Sequence, residues 1–162
     1  MSRLIPTAEM TLGPFFPREF AEGANHLGSG IEIVGRVTEL DGKALDNVIV
    51  EIWQADGAGR FDNPAFPGWG RAATDAQGNY RFRTIRPGAV PGRAPHVNFL
   101  ILYSGLMRQL QTVMFFSNAA DPVLNAVPQA ARARLVAHPV NKTCYRFDIR
   151  LRGGEETPFF DD

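Results

Sequence analysis

Residues 143–152 read Thr-Cys-Tyr-Arg-Phe-Asp-Ile-Arg-Leu-Arg, and this stretch carries the strongest strand signal in the chain. Tyr145, Phe147, Ile149 and Leu151 occupy every second position, and polar or charged residues stand between them. Successive side chains of a strand point to opposite faces, so this alternation predicts a strand with one face on a core and the other in water.

Several other segments show the same strand-like composition. Alternating or β-branched and aromatic residues predict strands over 31–38, 48–54, 79–85, 95–104 and 106–116. The 16 glycines and 12 prolines indicate many turns, which we expect at Asp41-Gly42, Gln77-Gly78 and Ser104-Gly105. Six or more short strands predict an all-β fold, either a sandwich or a barrel.

Two regions depart from the strand pattern. Residues 128–137 predict one short helix, because Pro128 suits the first helical position and Ala131 and Leu135 are spaced for one face. A short turn at Asp121-Pro122 precedes it. Residues 1–30 lack a steady period and predict an extended N-terminal arm on the body or on a partner, before one domain over 31–162.

Composition excludes several classes of protein. The 17 basic residues balance the 17 acidic ones among 162 residues, which argues against a nucleic-acid-binding or membrane-surface protein. Cys144 is the single cysteine, so the chain has no disulfide framework and no cysteine-rich zinc site. Neither a signal peptide nor an apolar run of membrane-spanning length is evident, and we expect a cytoplasmic protein.

The common catalytic signatures, such as a glycine-rich phosphate loop or a nucleophile elbow, are not found in the sequence. His96 has the most informative surroundings of the three histidines, because residues 96 and 98 of a strand share a face. A second histidine at position 98 would complete a metal-binding pair. Position 98 is Asn98, whose neutral amide is a poor ligand for a transition metal.

A series of blocks spread over almost the whole chain resembles the intradiol ring-cleaving dioxygenases. The blocks are Thr11 to Phe16, Glu51 to Asp56, Gly59 to Phe61, Gly70-Arg71, Thr74-Asp75, Gly78 to Tyr80, Phe82 to Gly88, Ala94 to His96, Tyr145 to Ile149 and Glu156 to Asp161. The resemblance implies a β-sandwich of two mostly antiparallel sheets. It also implies an enzyme of homologous alpha and beta subunits, in which only the beta subunit holds Fe(III), through two tyrosines and two histidines. That enzyme opens a catechol-type ring between its hydroxyls with dioxygen.

At the positions of this chain that match the family's iron ligands, most of the ligand residues are replaced. Phe61 and Val90 stand at the tyrosine positions, and no tyrosine lies between positions 80 and 103. His96 matches the first histidine and Asn98 replaces the second. One neutral imidazole does not hold Fe(III) against hydrolysis. The resemblance therefore implies an iron-free alpha-type subunit, inactive alone, beside an iron-bearing beta partner.

The same resemblance gives the alpha arm a role in the substrate pocket at the subunit interface. The matching residues are Thr11, Gly13 and Pro14: glycine permits close backbone approach, and proline presents an apolar wall to an aromatic ring. Ser104 stands where some alpha subunits have an arginine, which leaves open how a substrate carboxylate is held.

Other interpretations of these residues remain open. The chain could be a stand-alone module that binds small aromatics, or an enzyme that holds another metal between His96 and a carboxylate such as Asp62. His96 could equally be a core residue. Trp53 and Trp69 are expected in the core or at a subunit contact rather than stacked on substrate.

Overall fold

The computed structural model describes residues 16–160, apart from the side chain of Arg18. This part of the chain forms nine strands, two short α-helices and three 3-10 turns. The strands are β1 (Ile31–Thr38), β2 (Ile49–Gln54), β3 (Trp69–Ala73), β4 (Asn79–Thr84), β5 (His96–Leu102), β6 (Leu110–Phe115), β7 (His138–Pro139), β8 (Cys144–Arg146) and β9 (Ile149–Arg150). The helices are α1 (Pro122–Ala126) and α2 (Gln129–Arg132), and the 3-10 turns are Arg18–Ala21, Leu40–Gly42 and Ala133–Leu135.

The strands form two sheets. The first has the order β4-β1-β8-β7, with β9 also paired to β1, and the second has the order β3-β2-β5-β6. Within the described strands, β8 and β9 run parallel to β1 and every other pair is antiparallel. The β-sandwich of two mostly antiparallel sheets is thus confirmed.

The main core lies between the two sheets. Side chains from both sheets meet there, and Ile33, Phe82, Phe99 and Phe147 are almost completely buried. Burying one such side chain stabilises the fold by roughly 1.5–3 kcal/mol relative to leaving it in water. A smaller second core packs β6 against the helices, and its buried members are Val113, Phe115, Leu124, Val127 and Leu135.

The stretch 143–152 is two strands rather than one, although its apolar side chains face the core as predicted. β8 and β9 are separated at Phe147 and Asp148. There the Tyr80 hydroxyl donates to the Phe147 carbonyl, and the Asp148 carboxylate accepts from the backbone N–H of Arg36 at 2.9 Å. Side chains therefore satisfy backbone groups that a continuous ladder would otherwise pair.

The predicted helix over 128–137 is wrong in extent. α2 begins after Pro128, a 3-10 turn continues it to Leu135, and the chain is extended from Val136. The Ala137 N–H donates to the Phe115 carbonyl at 2.8 Å, so pairing with β6 ends the helical segment. The predicted turn at Asp121-Pro122 is instead the start of α1. No helix within residues 16–160 is long and apolar enough to cross a membrane.

Strand β3 was not predicted, because its glycine and alanines have low strand propensity. The structure supplies a reason for the glycine. A Cβ on Gly70 would lie 2.4 Å from Leu27 Cδ1 and 3.0 Å from the Ala24 carbonyl oxygen. Residues 24–27 cross the sandwich edge here, since Arg71 N–H donates to Ala24 and Leu27 N–H donates to Arg83. The strand predicted over 106–116 is also shorter and begins at Leu110.

Candidate functional site

His96 and Asn98 share the outer face of β5, as their spacing predicts. The intervening residues Val97 and Phe99 point into the main core and are buried. His96 is buried on its own side of the sheet and Asn98 is half-buried. The outer face of the second sheet therefore carries this candidate site, and the sandwich core lies behind it.

Two tryptophans flank Asn98 on the same face. In the strand register Asn98 is opposite Trp53, and Trp53 is opposite Trp69 on the next strand. These residues border an open groove of about 240 Å³, called here the aromatic groove. Its lining side chains include Glu51, Trp53, Trp69, Asn98, Leu100 and Gln111.

Phe61 lies beside Trp53, in the loop between β2 and β3. The two ring centroids are 5.1 Å apart with an interplanar angle of 59°. The loop is shaped by Asp56, whose carboxylate accepts hydrogen bonds from Arg60 N–H at 2.9 Å and Asn63 Nδ2 at 2.8 Å. These bonds lower the pKa of Asp56, because they favour its charged form. Phe61, the first of the positions at which the resemblance implies a ligand, thus adjoins the aromatic groove.

Val90 belongs to a neighbouring loop, between β4 and β5. The two loops touch: Gly88 N–H donates to the Asp56 carbonyl at 2.8 Å. A Cβ added to Gly59 would lie 2.0 Å from the Ala89 carbonyl oxygen. Only glycine allows this approach, and the residue also has a φ of +78°. The structure therefore places the loops that carry Phe61 and Val90 directly against each other.

His96 is 5% exposed, and its Nδ1 lies 2.7 Å from the Ala94 carbonyl oxygen. A carbonyl only accepts hydrogen bonds, so Nδ1 carries the proton of the neutral ring. Burial lowers the pKa of His96, because it penalises the imidazolium. The ring contacts Phe115, the opposite residue on β6, with 6.1 Å between ring centroids.

Asp121 anchors the segment that leads into His96. Its side chain is fully buried and accepts hydrogen bonds from Arg93 Nε at 2.8 Å and Ala94 N–H at 2.9 Å. It also caps α1 through Val123 N–H at 2.8 Å. This positioning role was not predicted. The signal that could have shown it is Asp-Pro at a helix start, with the acid as N-cap and the proline in the first turn.

The donor set at these four positions does not fit ferric iron. At the positions where the resemblance implies two tyrosines and two histidines, the chain has a phenyl ring, an isopropyl group, a neutral amide and a single imidazole, and these supply no hard anionic oxygen for Fe(III). Within residues 16–160, no three side chains of histidine, cysteine, aspartate or glutamate converge as metal ligands. Asp62, the carboxylate considered beside His96, pairs with Arg60 at 3.0 Å and is exposed.

The three tyrosines of the chain all have other roles. Tyr80 is buried and donates to the Phe147 carbonyl. Burial raises the pKa of Tyr80, so its phenol stays protonated. Tyr145 receives a hydrogen bond from Arg86 at 2.5 Å, and Tyr103 packs against the main core. The structure therefore assigns no phenolate oxygen to the candidate site.

The arm residues Thr11, Gly13 and Pro14 lie outside the described residues, and Ser104 lies half-buried in the connection between β5 and β6. The described chain starts near the aromatic groove. Phe16 stacks on Phe20 at 5.3 Å, and Arg71 lies 3.7 Å from the Phe20 ring and 4.8 Å from the Trp69 ring. The arm therefore joins the body beside the rim of the groove.

Known dioxygenases are similar to this chain over most of its length. A family model described as Dioxygenase matches residues 17–153. The chain is 35% identical to the protocatechuate 3,4-dioxygenase alpha chain of Burkholderia cepacia, over 99% of this chain and 100% of that one. It is 36% identical to the beta chain from the same organism, over 91% and 76%. It is also 36% identical to the alpha chain of Pseudomonas putida, over 83% and 77%.

Solved structures share the fold. The dioxygenase domain of a dioxygenase carbohydrate-binding protein fusion from Streptomyces sp. SirexAA-E superposes with a TM-score of 0.64 at 24% identity, covering 95% of this chain and 100% of that one. An intradiol ring-cleavage dioxygenase from Tetranychus urticae superposes with a TM-score of 0.61 at 17% identity, covering 88% and 92%. At these identities the superpositions establish the sandwich architecture.

Proposed function

Because this chain belongs to the intradiol ring-cleaving dioxygenase family, we propose that it is the iron-free alpha subunit of a protocatechuate 3,4-dioxygenase. It acts with a homologous beta subunit that binds Fe(III), and the complex opens a dihydroxybenzoate between its two hydroxyls with dioxygen. The near full-length match to an alpha chain carries this proposal. The matching beta chain supports a two-subunit enzyme.

The assignment of iron to the partner rests on the chemistry of the vestigial positions. Phe61 and Val90 supply no donor atom, and Asn98 supplies only a neutral amide. His96 is buried, and its Nδ1–H donates to the Ala94 carbonyl. Phenolate ligands stabilise the ferric state, and none is present here. This chain therefore contributes shape to the enzyme rather than a metal ligand.

Thr11, Gly13 and Pro14 are proposed to line one side of the partner's substrate pocket. The five residue-to-residue steps from Thr11 to Phe16 span at most roughly 18 Å when fully extended. The partner's pocket must then lie within that distance of Phe16, on the side of the body where Phe20 and Arg71 lie. Gly13 permits close approach to the substrate, and Pro14 gives an apolar surface to its ring.

The proposal is tested by producing the chain alone and together with the homologous iron-bearing subunit encoded in the same genome. The readouts are bound iron, the red tyrosinate-to-iron absorption and oxygen uptake with protocatechuate. The chain alone should be colourless and inactive, and the complex should be coloured and consume oxygen. Colour or ring cleavage by the chain alone, or no complex with the partner, contradicts the proposal.

His96→Gln provides a matched control within the complex. If the iron lies on the partner, this substitution leaves the iron content of the complex and its absorption band unchanged. A loss of iron in proportion to the substituted chain would place a ligand on this subunit. Fractionation of the host cells, followed by detection of the complex in each fraction, tests the prediction that the enzyme is cytoplasmic.

A further inference from the structure

The outer face of the first sheet carries a row of arginines. Tyr145, Phe147 and Ile149 pack in the main core, so residues 146, 148 and 150 point outward. In β1 and β4 buried residues likewise alternate with outward ones. The outward arginines of this face are Arg36, Arg81, Arg83, Arg146, Arg150 and Arg152.

All but one of these guanidinium groups are already paired. Nε of Arg146 lies 2.9 Å from the carboxylate of Asp148, and Nη2 of Arg152 lies 2.9 Å from that of Glu39. The arginines of β1 and β4 contact a carboxylate or a backbone carbonyl oxygen. Arg150 is the exception, since its side chain makes no hydrogen bond or ion pair within residues 16–160. Its charge is therefore available to a ligand.

Arg150 borders a cleft of about 230 Å³ on this face, called here the arginine cleft. One wall is the segment after β9, which Arg134 holds in place. Nε of Arg134 lies 3.0 Å from the Glu155 carboxylate, and its Nη atoms donate to two backbone carbonyls of the same segment at 3.3 Å. The charged and imidazole side chains that line the cleft are those of Arg134, His138, Arg146, Asp148, Arg150 and Glu155.

Two basic positions lie at separate points of the cleft. His138 is opposite Arg146 in the register of β7 and β8, so the two side chains lie side by side on one face. Among the described residues, the His138 ring has no hydrogen-bond partner. Arg150 is four residues beyond Arg146, which is about 13 Å along an extended strand. Asp148 lies between them and accepts a hydrogen bond from Arg146.

This spacing selects the shape of the anion that fits. The Asp148 carboxylate repels a compact anion placed at the centre of the cleft, because like charges at short range oppose each other. An extended molecule with a carboxylate at each end reaches both basic positions and places its uncharged middle near Asp148. Guanidinium groups also match carboxylates geometrically, since two parallel N–H groups bind the two oxygens.

We propose that the arginine cleft binds an extended dicarboxylate. Arg150 binds one carboxylate, and His138 and Arg146 bind the other. The source of the ligand rests on the proposed function: opening a catechol-type ring between its two hydroxyls with dioxygen leaves a carboxylate at each end of the former ring. The ring-opened product of the enzyme is therefore the ligand of this class that arises beside the site.

Titration calorimetry with cis,cis-muconate, an extended dicarboxylate, tests the site on the chain alone and on its complex with the iron-bearing subunit. Arg150→Gln should weaken binding at least about tenfold, because charge-assisted hydrogen bonds are lost. Arg152→Gln is the matched control, since this arginine lies on the same face but pairs with Glu39 outside the cleft. In the complex, the difference between wild type and Arg150→Gln is decisive, because muconate in the partner's pocket affects both alike.

Two further anions test the shape and the source of the ligand. Inorganic phosphate, a compact anion, should bind at least about tenfold more weakly than muconate because it reaches only one basic position. The ring-opened product collected from the complex should displace muconate, and the shorter succinate should displace it less. Phosphate that binds as tightly as muconate contradicts the dicarboxylate site. Succinate that competes better than the product contradicts the proposed source.

Histidine ring NMR signals locate the ligand independently of affinity. Muconate should shift the signal of His138, which His138→Gln identifies, and the shift should be lost in Arg150→Gln. His96 is the internal control, because it is buried on the outer side of the other sheet. A shift of His96 alone, or of neither ring, places the ligand elsewhere and overturns the proposal.

The remaining outcomes separate this proposal from the proposed function. Equal weakening by Arg150→Gln and Arg152→Gln, no binding at millimolar muconate, or loss of the site on assembly with the partner overturns the dicarboxylate site. Circular dichroism should show that Arg150→Gln unfolds at the wild-type midpoint, since its side chain has no partner to lose within residues 16–160. Failure to assemble or to open protocatechuate refutes the proposed function, whereas muconate binding by the chain alone is measured without the partner.

Discussion

The carboxylate of Asp121 lies 2.8 Å from Nε of Arg93, and the same carboxylate caps helix α1. One buried side chain thereby fixes the segment that enters β5 at His96 to the start of a helix 28 residues away in sequence. The second carboxylate oxygen binds Val123 N–H and Leu124 N–H. The position of His96 at the start of β5 therefore depends on a residue with no place in the family's ligand set.

Replacing Asp121 by alanine should lower the free energy of unfolding by about 3–5 kcal/mol. The substitution leaves the partly buried Arg93 guanidinium without its ion-pair partner and removes a helix cap. Urea denaturation followed by circular dichroism measures the change. Asp62→Ala is the control, since its ion pair with Arg60 is exposed and should leave the midpoint unchanged. A similar midpoint for both variants would show that the buried pair does not stabilise the fold.

Asp121 should also make the fold sensitive to acid. Burial alone raises the pKa of Asp121, but hydrogen bonds from Arg93, Ala94, Val123 and Leu124 outweigh it and hold the pKa below its usual value. A carboxyl whose pKa is lower in the folded state stabilises the fold above its unfolded pKa of about 3.9. That stabilisation is lost as pH falls below about 4 and through the folded pKa. The stability difference between wild type and Asp121→Asn should shrink over this range; a constant difference would contradict this assignment.

Protonation gives His96 a positive charge, whereas it removes the negative charge of Asp121. Both residues nevertheless stabilise the fold less as pH falls. Burial holds its pKa below the usual value of about 6.5, so the unfolded chain binds a proton before the folded chain does. Stability from this residue is complete above pH 6.5 and declines as pH falls towards the folded pKa. NMR titration should show a midpoint for its ring below 6.5, with His96→Gln identifying the signal. A midpoint at or above 6.5 would exclude a buried neutral imidazole.

Gly59→Ala should destabilise the fold more than Gly92→Ala, although both glycines have positive φ, +78° and +77°. A Cβ at Gly92 meets no atom within 4 Å, so its cost is the left-handed backbone, about 1–2 kcal/mol. At Gly59 the clash with the Ala89 carbonyl adds to it, for a total of roughly 2–5 kcal/mol. Chemical denaturation measures both variants, and equal costs would mean that the two loops separate readily.

Gly13→Val in the assembled enzyme should raise KM for protocatechuate by about tenfold, since a branched side chain would occupy space at the pocket wall. Bound iron should not change if, as proposed, its ligands lie on the partner. Oxygen-uptake kinetics and iron analysis on the same preparation distinguish these effects. Gly154→Val is the control, because this exposed glycine has no positive φ and no atom lies within 4 Å of an added Cβ. An unchanged KM would remove the arm from the pocket.

Local sequence patterns were sufficient to predict the class of fold and part of the candidate site. Alternation over 143–152 predicted which residues face the core, and the spacing of His96 and Asn98 predicted their shared face. These features depend on neighbours along the chain. Side-chain chemistry was equally direct, because Phe61 and Val90 lack donor atoms in any conformation.

Only tertiary structure decided how these residues combine. Pairing of Ala137 with Phe115 ended a helix that local propensity extends, and contact with residues 24–27 made a strand of a glycine- and alanine-rich segment. Contact between the loops of Gly59 and Ala89, and the exposure of Trp53, likewise depend on residues far apart in sequence. Such contacts form only when strands meet, since their energy comes from packing and burial between segments that sequence spacing does not relate.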